Sequence, residues 1–313
     1  YLFSVLIQMK KFIKQLIYFL MWALLVHIVV ILFLGLTNTR FRGLNFSNLN
    51  PGRLLLRVED SRKIDELDVL FLGSSHAFMG FDTRIFNENG LKSFNFGSMA
   101  QTPIQTEYLY EKYAQHIKVD LIVYEVNPTL FYSDGVEATI DFINTLEMDN
   151  KLFKLTLGTG VPNALNTMLY VYLKRMTGAK PQFVGSKGFY IDGGGYVEGR
   201  GTNKYVGEKI EKKTLEYKKK QLYAFERLIS LFLRNKQKFI LVQAPVTKNH
   251  YYSLDGVDKF DEKMKSFGEY YNFNHLVELN DTNDFVDNSH MNQQGVEKFN
   301  KELLKIIFNK NME

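Results

Sequence analysis

The sequence contains no cysteine, which excludes disulfides, thiolate metal sites and cysteine catalysis. It has no internal repeat and no low-complexity tract, so neither a solenoid nor a flexible linker array is encoded. No concentrated basic block is present. The net charge of +5 is spread along 313 residues, and Lys218-Lys219-Lys220 sits on a helix as a solvated face. Nucleic acid is therefore not an expected partner. The turn at residues 73–75 lacks G-x-G-x-x-G, and no acidic residue stands where a ribose would need one, which speaks against a Rossmann-type nucleotide binder. His116, His250 and His275 have no acidic neighbours in a metal-ligand pattern, so neither a metal nor a cofactor is expected.

What is present begins at the N-terminus. Residues 15–36 (QLIYFLMWALLVHIVVILFLGL) form an apolar run about the length needed to cross a bilayer, roughly 20 residues. Lys10, Lys11 and Lys14 precede it and Arg40 and Arg42 follow. The run is longer than a signal-peptide core and no small-x-small cleavage site follows, so it reads as an uncleaved signal anchor with the bulk of the chain outside the cytoplasm. His27 within it reads as an incidental polar residue. Met9-Lys10-Lys11 resembles a natural start of the chain. Residues 1–43 are thus expected to be tail and anchor, 44–66 a linker containing Pro51-Gly52, and 67–313 the folded domain.

Within that domain, residues 67–72 read as a buried strand that stops abruptly at Gly73-Ser74-Ser75. Asp82 caps a short helix ending near Asn89-Gly90, and a second strand spans 92–96 and leads into Gly97. Thr102-Pro103-Ile104-Gln105 combines a cap, a first-turn proline and a capping-box glutamine, starting a helix that runs to about 117. A third strand spans 120–126 and ends at Asn127-Pro128. From 128 to 213 the alternation breaks down into an insertion: a helical piece over 142–176, then a glycine- and aromatic-rich stretch over 188–201. Such an insertion either roofs a site or decorates the surface. The pattern returns with an amphipathic helix over 215–233, a strand over 238–244, a short last strand over 276–279, and a helix over 292–308. Strands alternating with helices argue for an α/β fold with a mostly parallel sheet and helices on both faces. In such sheets, sites gather beyond the carboxyl ends of the strands.

Those ends carry Gly73-Ser74-Ser75, Gly97, Asn127 and Asp287-Asn288-Ser289-His290. Serine can supply a nucleophile, histidine can take its proton, and an aspartate three residues before the histidine can orient the ring and stabilise the imidazolium. The N–H groups of Ser75 and Gly97 and the Asn127 side-chain amide are candidate oxyanion donors. Each also has a plain structural use: Ser75 as a helix cap, Asn127 as a turn residue before Pro128, Asp287 as a turn cap and His290 as a surface residue. His76 reads as packing behind the nucleophile turn.

With these residues in place the sequence resembles the SGNH/GDSL hydrolase superfamily, over roughly residues 68–308. Gly73-Ser74-Ser75 matches the nucleophile block, with Ser75 as the serine and Ser74 in place of the usual aspartate. That departure is similar to membrane-anchored relatives acting on cell-envelope polymers, such as teichoic acid D-alanyl transfer and alginate acetylation proteins. Gly97 and Asn127 resemble the second and third blocks, although the aspartate expected after Asn127 is missing. Asp287 to His290 resembles the last. The resemblance implies a flavodoxin-like three-layer α/β/α sandwich, a Ser75–His290–Asp287 triad, and acyl, in particular acetyl, esters of a cell-surface polysaccharide as substrate. It leaves hydrolysis and transfer open; transfer would call for a membrane-bound O-acyltransferase partner. A non-catalytic polysaccharide-binding or assembly protein on the same scaffold is the alternative.

Overall fold

The computed structural model describes residues 2–36, 53–181, 188–199, 207 and 210–309. Residues 44–52 of the expected linker over 44–66 and the end of the glycine-rich stretch at 200–201 lie outside these. Helix α1 (Leu2–Leu36) is followed by α2 (Leu54–Ser61), β1 (Glu66–Leu72), α3 (Ser75–Phe78), α4 (Thr83–Glu88), β2 (Ser93–Asn95), α5 (Pro103–Leu109) with a π-helical turn to Ala114, and β3 (Lys118–Glu125). The insertion supplies α6 (Val136–Thr145), α7 (Asn150–Thr159) and α8 (Pro162–Met176). Then come α9 (Lys219–Arg234), β4 (Phe239–Gln243), α10 (Lys248–Ser253), α11 (Val257–Lys265), β5 (Tyr270–Asn272), α12 (Phe273–Leu276) and α13 (Gln293–Phe308).

These five strands form one all-parallel sheet in the order β2-β1-β3-β4-β5, and among the described residues Lys213–Thr214 pairs with Leu254–Asp255 in a separate two-stranded sheet. Side chains alternate across a strand, so β1 feeds two cores at once. Leu70 and Leu72 enter a cluster with α2, α5, α9 and α11, while Val69 and Phe71 enter one with α4 and α13. The result is the expected three-layer α/β/α arrangement. The chain order reverses direction between β1 and β3, and at such a switch point the strand ends splay into a crevice.

Three expectations change. The last strand is β5 and not residues 276–279: the Asn272 side chain accepts the Asn274 N–H and turns the chain into α12, which ends the ladder. The presumed linker contains α2, whose Leu54, Leu56, Arg57 and Val58 are buried, so the folded unit starts before residue 67. The helical piece of the insertion is three helices, because Asp149 caps α7, Gly160 (φ +66°) ends it and Pro162 starts α8. The glycine-rich segment lies along the free edge of β2, where Asn95 N–H donates to Gly194 O at 2.9 Å. Buried Arg57 pins it, donating from Nε to Gly195 O at 2.7 Å with its guanidinium 4.4 Å from the Phe78 ring centroid.

Candidate active site

The nucleophile turn follows from close approach of two strand ends. Gly73 has φ +141°, a backbone region that favours glycine, and a Cβ there would fall 2.8 Å from the Glu125 Cβ. Ser74 is the helix cap, its Oγ accepting the His76 N–H at 3.2 Å, which leaves Ser75 as the first residue of α3 with its side chain uncommitted to capping. The Ser75 N–H has no acceptor among the described residues.

Ser75 meets the loop between α12 and α13. His290 Nε2 lies 2.8 Å from Ser75 Oγ, and His290 Nδ1 lies 2.9 Å from Asp287 Oδ2. An ionised carboxylate only accepts, so Nδ1 carries the hydrogen and Nε2 is left to accept the Ser75 hydroxyl. Asp287 Oδ1 also accepts the backbone N–H groups of Ser289 (2.7 Å) and His290 (2.8 Å). Partial burial would raise the Asp287 pKa, but the His290 ring and these two amides outweigh it and hold the carboxyl well below its usual range. The loop is itself braced: Thr247 donates from N–H and Oγ to Asn288 O, and Val286 N–H donates to His290 O. The three residues singled out from the sequence are thus within hydrogen-bond reach in series.

The candidate oxyanion donors are not equivalent. Gly97 N–H donates to Asn95 Oδ1 at 3.1 Å, so it is already committed. What position 97 requires is the missing side chain, since a Cβ would stand 2.7 Å from Ser74 O. Asn127 Oδ1 accepts from Thr129 N–H (2.8 Å) and Oγ (2.7 Å), which fixes the amide orientation and turns Nδ2 toward His76 Nδ1 at 2.6 Å. An amide nitrogen only donates, so His76 Nδ1 accepts, and one Asn127 amide hydrogen is left over.

Two residues here carry more than the sequence suggested. His76 stacks on His290, with ring centroids 5.0 Å apart and planes at 21°, and hydrogen-bonds the Ser289 backbone. Burial first, then the neighbouring His290 and His250, push its pKa down to about 3, so it is neutral. It ties the nucleophile turn, Asn127 and the Asp287–His290 loop together. Glu125 ends β3 fully buried, and its Oε2 accepts from Ser74 Oγ (3.1 Å) and N–H (3.4 Å). Burial pushes its pKa up to about 8. A carboxylate directly after the apolar run of residues 121–124, two residues before Asn127, was the available signal. Among the described residues no cluster of three or more His, Asp or Glu side chains could hold a metal ion.

No protein-family model matches the chain, and no curated protein matches it. Solved structures do match, and two of them illustrate the likeness. One is a candidate acylhydrolase from Bacteroides fragilis, 12% identical, with a TM-score of 0.44, the match covering 82% of this chain and 97% of that one. The other is a GDSL-like lipase from Bacteroides thetaiotaomicron, 11% identical, with a TM-score of 0.41, covering 82% and 98%. Likenesses this distant carry no argument about chemistry, which rests on the geometry above.

Proposed function

We propose that this chain is a serine-dependent carboxylic ester hydrolase or O-acyltransferase, held at the membrane by α1 and acting on acyl esters, chiefly acetyl, of a cell-surface polysaccharide. The observation that carries the reading is the 2.8 Å contact between Ser75 Oγ and His290 Nε2. In the first half-reaction Ser75 Oγ attacks the ester carbonyl while His290 takes its proton and Asp287 stabilises the imidazolium. Charge on the carbonyl oxygen is met by the Ser75 N–H and the remaining Asn127 amide hydrogen. His290 then returns its proton to the departing alcohol, leaving an acyl group on Ser75. Water or a sugar hydroxyl, deprotonated by His290, attacks that acyl group and regenerates the serine.

The membrane part of the reading rests on α1, whose span Phe3–Gly35 is long and apolar enough to cross a bilayer. The polysaccharide part rests on the sequence resemblance, and it includes the proposal that the domain faces the cell exterior. Transfer would require an acyl donor on the same membrane, such as a membrane-bound O-acyltransferase. The alternative, a polysaccharide-binding protein without catalysis, draws on the commitment of Gly97 N–H to Asn95.

A fluorophosphonate probe separates the two. The wild-type chain is expected to be labelled and to release acetate from acetylated polysaccharide or p-nitrophenyl acetate, and Ser75→Ala to do neither. Undiminished hydrolysis by Ser75→Ala would overturn the assignment.

A further inference from the structure

The insertion presents apolar side chains to solvent that nothing in the ester chemistry uses. On α7 Phe153 and Leu157 are 52% and 49% exposed, and on α8 Tyr172 and Met176 are 52% and 69% exposed. Phe153 and Tyr172 flank an open groove of about 350 Å³ whose floor includes Met148, Leu165, Met168 and Leu169. Clusters of this kind on a soluble surface mark an interaction site.

Two further observations say what covers it. First, α8 is the helix onto which α1 docks. His27 Nε2 donates to Asn166 Oδ1 at 3.0 Å, Ile31 is 1% exposed, and Gly35 lies against the Tyr170 ring. Counted from Lys14, the roughly 20 residues that cross a hydrocarbon core end near residue 34, so contacts made by residues 27–35 fall in the outer leaflet and its headgroup layer. Second, residues 150–181 contain Lys151, Lys154, Lys174, Arg175 and Lys180 and no acidic residue. Asp149, the α7 cap that also lines the groove, is paired with Lys112, and Lys151 with Glu111. Exposed apolar side chains together with the remaining excess of basic groups are the surface of a helix pair lying in an anionic interface.

We propose that the α7–α8 hairpin is a second membrane contact, lying in the headgroup layer of the same phospholipid bilayer that holds α1. Phe153, Leu157, Tyr172 and Met176 reach the acyl boundary, and Lys154 and Lys174 sit among the phosphates with their aliphatic stems along the apolar surface. The inference rests on α1 spanning that bilayer. It turns a one-point attachment through α1 into a two-point attachment that fixes the height of the domain above the membrane.

The absence of native cysteine makes the test direct. Single cysteines replace Phe153, Leu157, Tyr172 or Met176 in the full chain, with Leu20→Cys in α1 and Lys301→Cys on α13 as references. Each is labelled with an environment-sensitive fluorophore and reconstituted in vesicles of phosphatidylcholine and phosphatidylglycerol carrying nitroxide lipids, shallow ones to read the hairpin and position 301 and deep ones to read position 20. Quenching at the four hairpin positions is expected to exceed that at position 301 by at least about threefold, and to weaken when phosphatidylglycerol is omitted. Hairpin quenching no greater than at 301, with position 20 quenched, overturns the inference and leaves the anchor standing. An unquenched position 20 overturns both. Self-quenching between copies without lipid quenching would make a second copy the occupant and also overturn it.

Discussion

Glu125→Gln is expected to stabilise the protein in proportion to pH. The native carboxyl is buried, with a pKa pushed up to about 8 from an ordinary 4.5. Between those two values the folded state holds a proton that the unfolded chain has released, so stability is fully present below about 4.5 and falls as pH rises through 8. At 1.36 kcal/mol per pH unit, the loss at pH 7 relative to the neutral acid is about 3 kcal/mol, and at pH 5 it is under about 1 kcal/mol. Glutamine is nearly isosteric with the neutral acid, and its side-chain oxygen can accept the same Ser74 donors. The variant should therefore nearly match wild type at pH 5 and exceed it by about 3 kcal/mol at pH 7. For a domain of this size that is a melting-temperature gain of about 6–12 °C. Thermal unfolding of the full chain in detergent, followed by near-ultraviolet circular dichroism from pH 5 to 8, measures it. A wild-type-minus-variant difference that does not change with pH would refute a buried, proton-bound Glu125.

On the acyl-transfer reading, Asp287→Asn should lower kcat by about 10⁴-fold with the fold intact, because an amide favours the wrong His290 tautomer; p-nitrophenyl acetate turnover tests it. His76→Phe keeps a ring against His290 but removes the acceptor for Asn127, and should lower kcat by about tenfold. If the two residues act as one unit, adding Asn127→Ala should then cost little more than Asn127→Ala alone, and full additivity of the two losses would contradict that. Phe71→Ala should destabilise the domain by about 3–5 kcal/mol in denaturant titrations, since the ring is buried, stacked 4.7 Å from Phe81 and set edge-on 4.8 Å from Phe86.

The α/β class was legible because its signals are local and periodic. Apolar strand runs, the Thr102-Pro103-Gln105 capping box and the amphipathic tail helix each report their own conformation within a few residues. The last strand was misplaced for the same reason. Residues 276–279 and Tyr270–Asn272 are both short, and what selects the latter is pairing with Leu241–Gln243 on β4, a contact the local pattern does not contain. Helix α2 was hidden because its burial depends on helices far along the chain.

Ser75, Asp287 and His290 could be singled out by residue type and spacing alone, since an acyl-transfer site needs those groups at strand ends whatever surrounds them. Only the folded chain decides which hydrogen-bond donors near them are still available. Gly97 N–H goes to Asn95, and the Asn127 amide is turned toward His76 by Thr129. The Gly97–Asn95 and Thr129–Asn127 bonds are local, two residues apart, but Asn127 meets His76 only because the parallel crossovers at the β1–β3 switch point bring their strand ends together. The same crossovers bury Glu125 against Ser74 and stack His76 on His290, so burial and partner, which set protonation state, come from tertiary packing and not from residue identity.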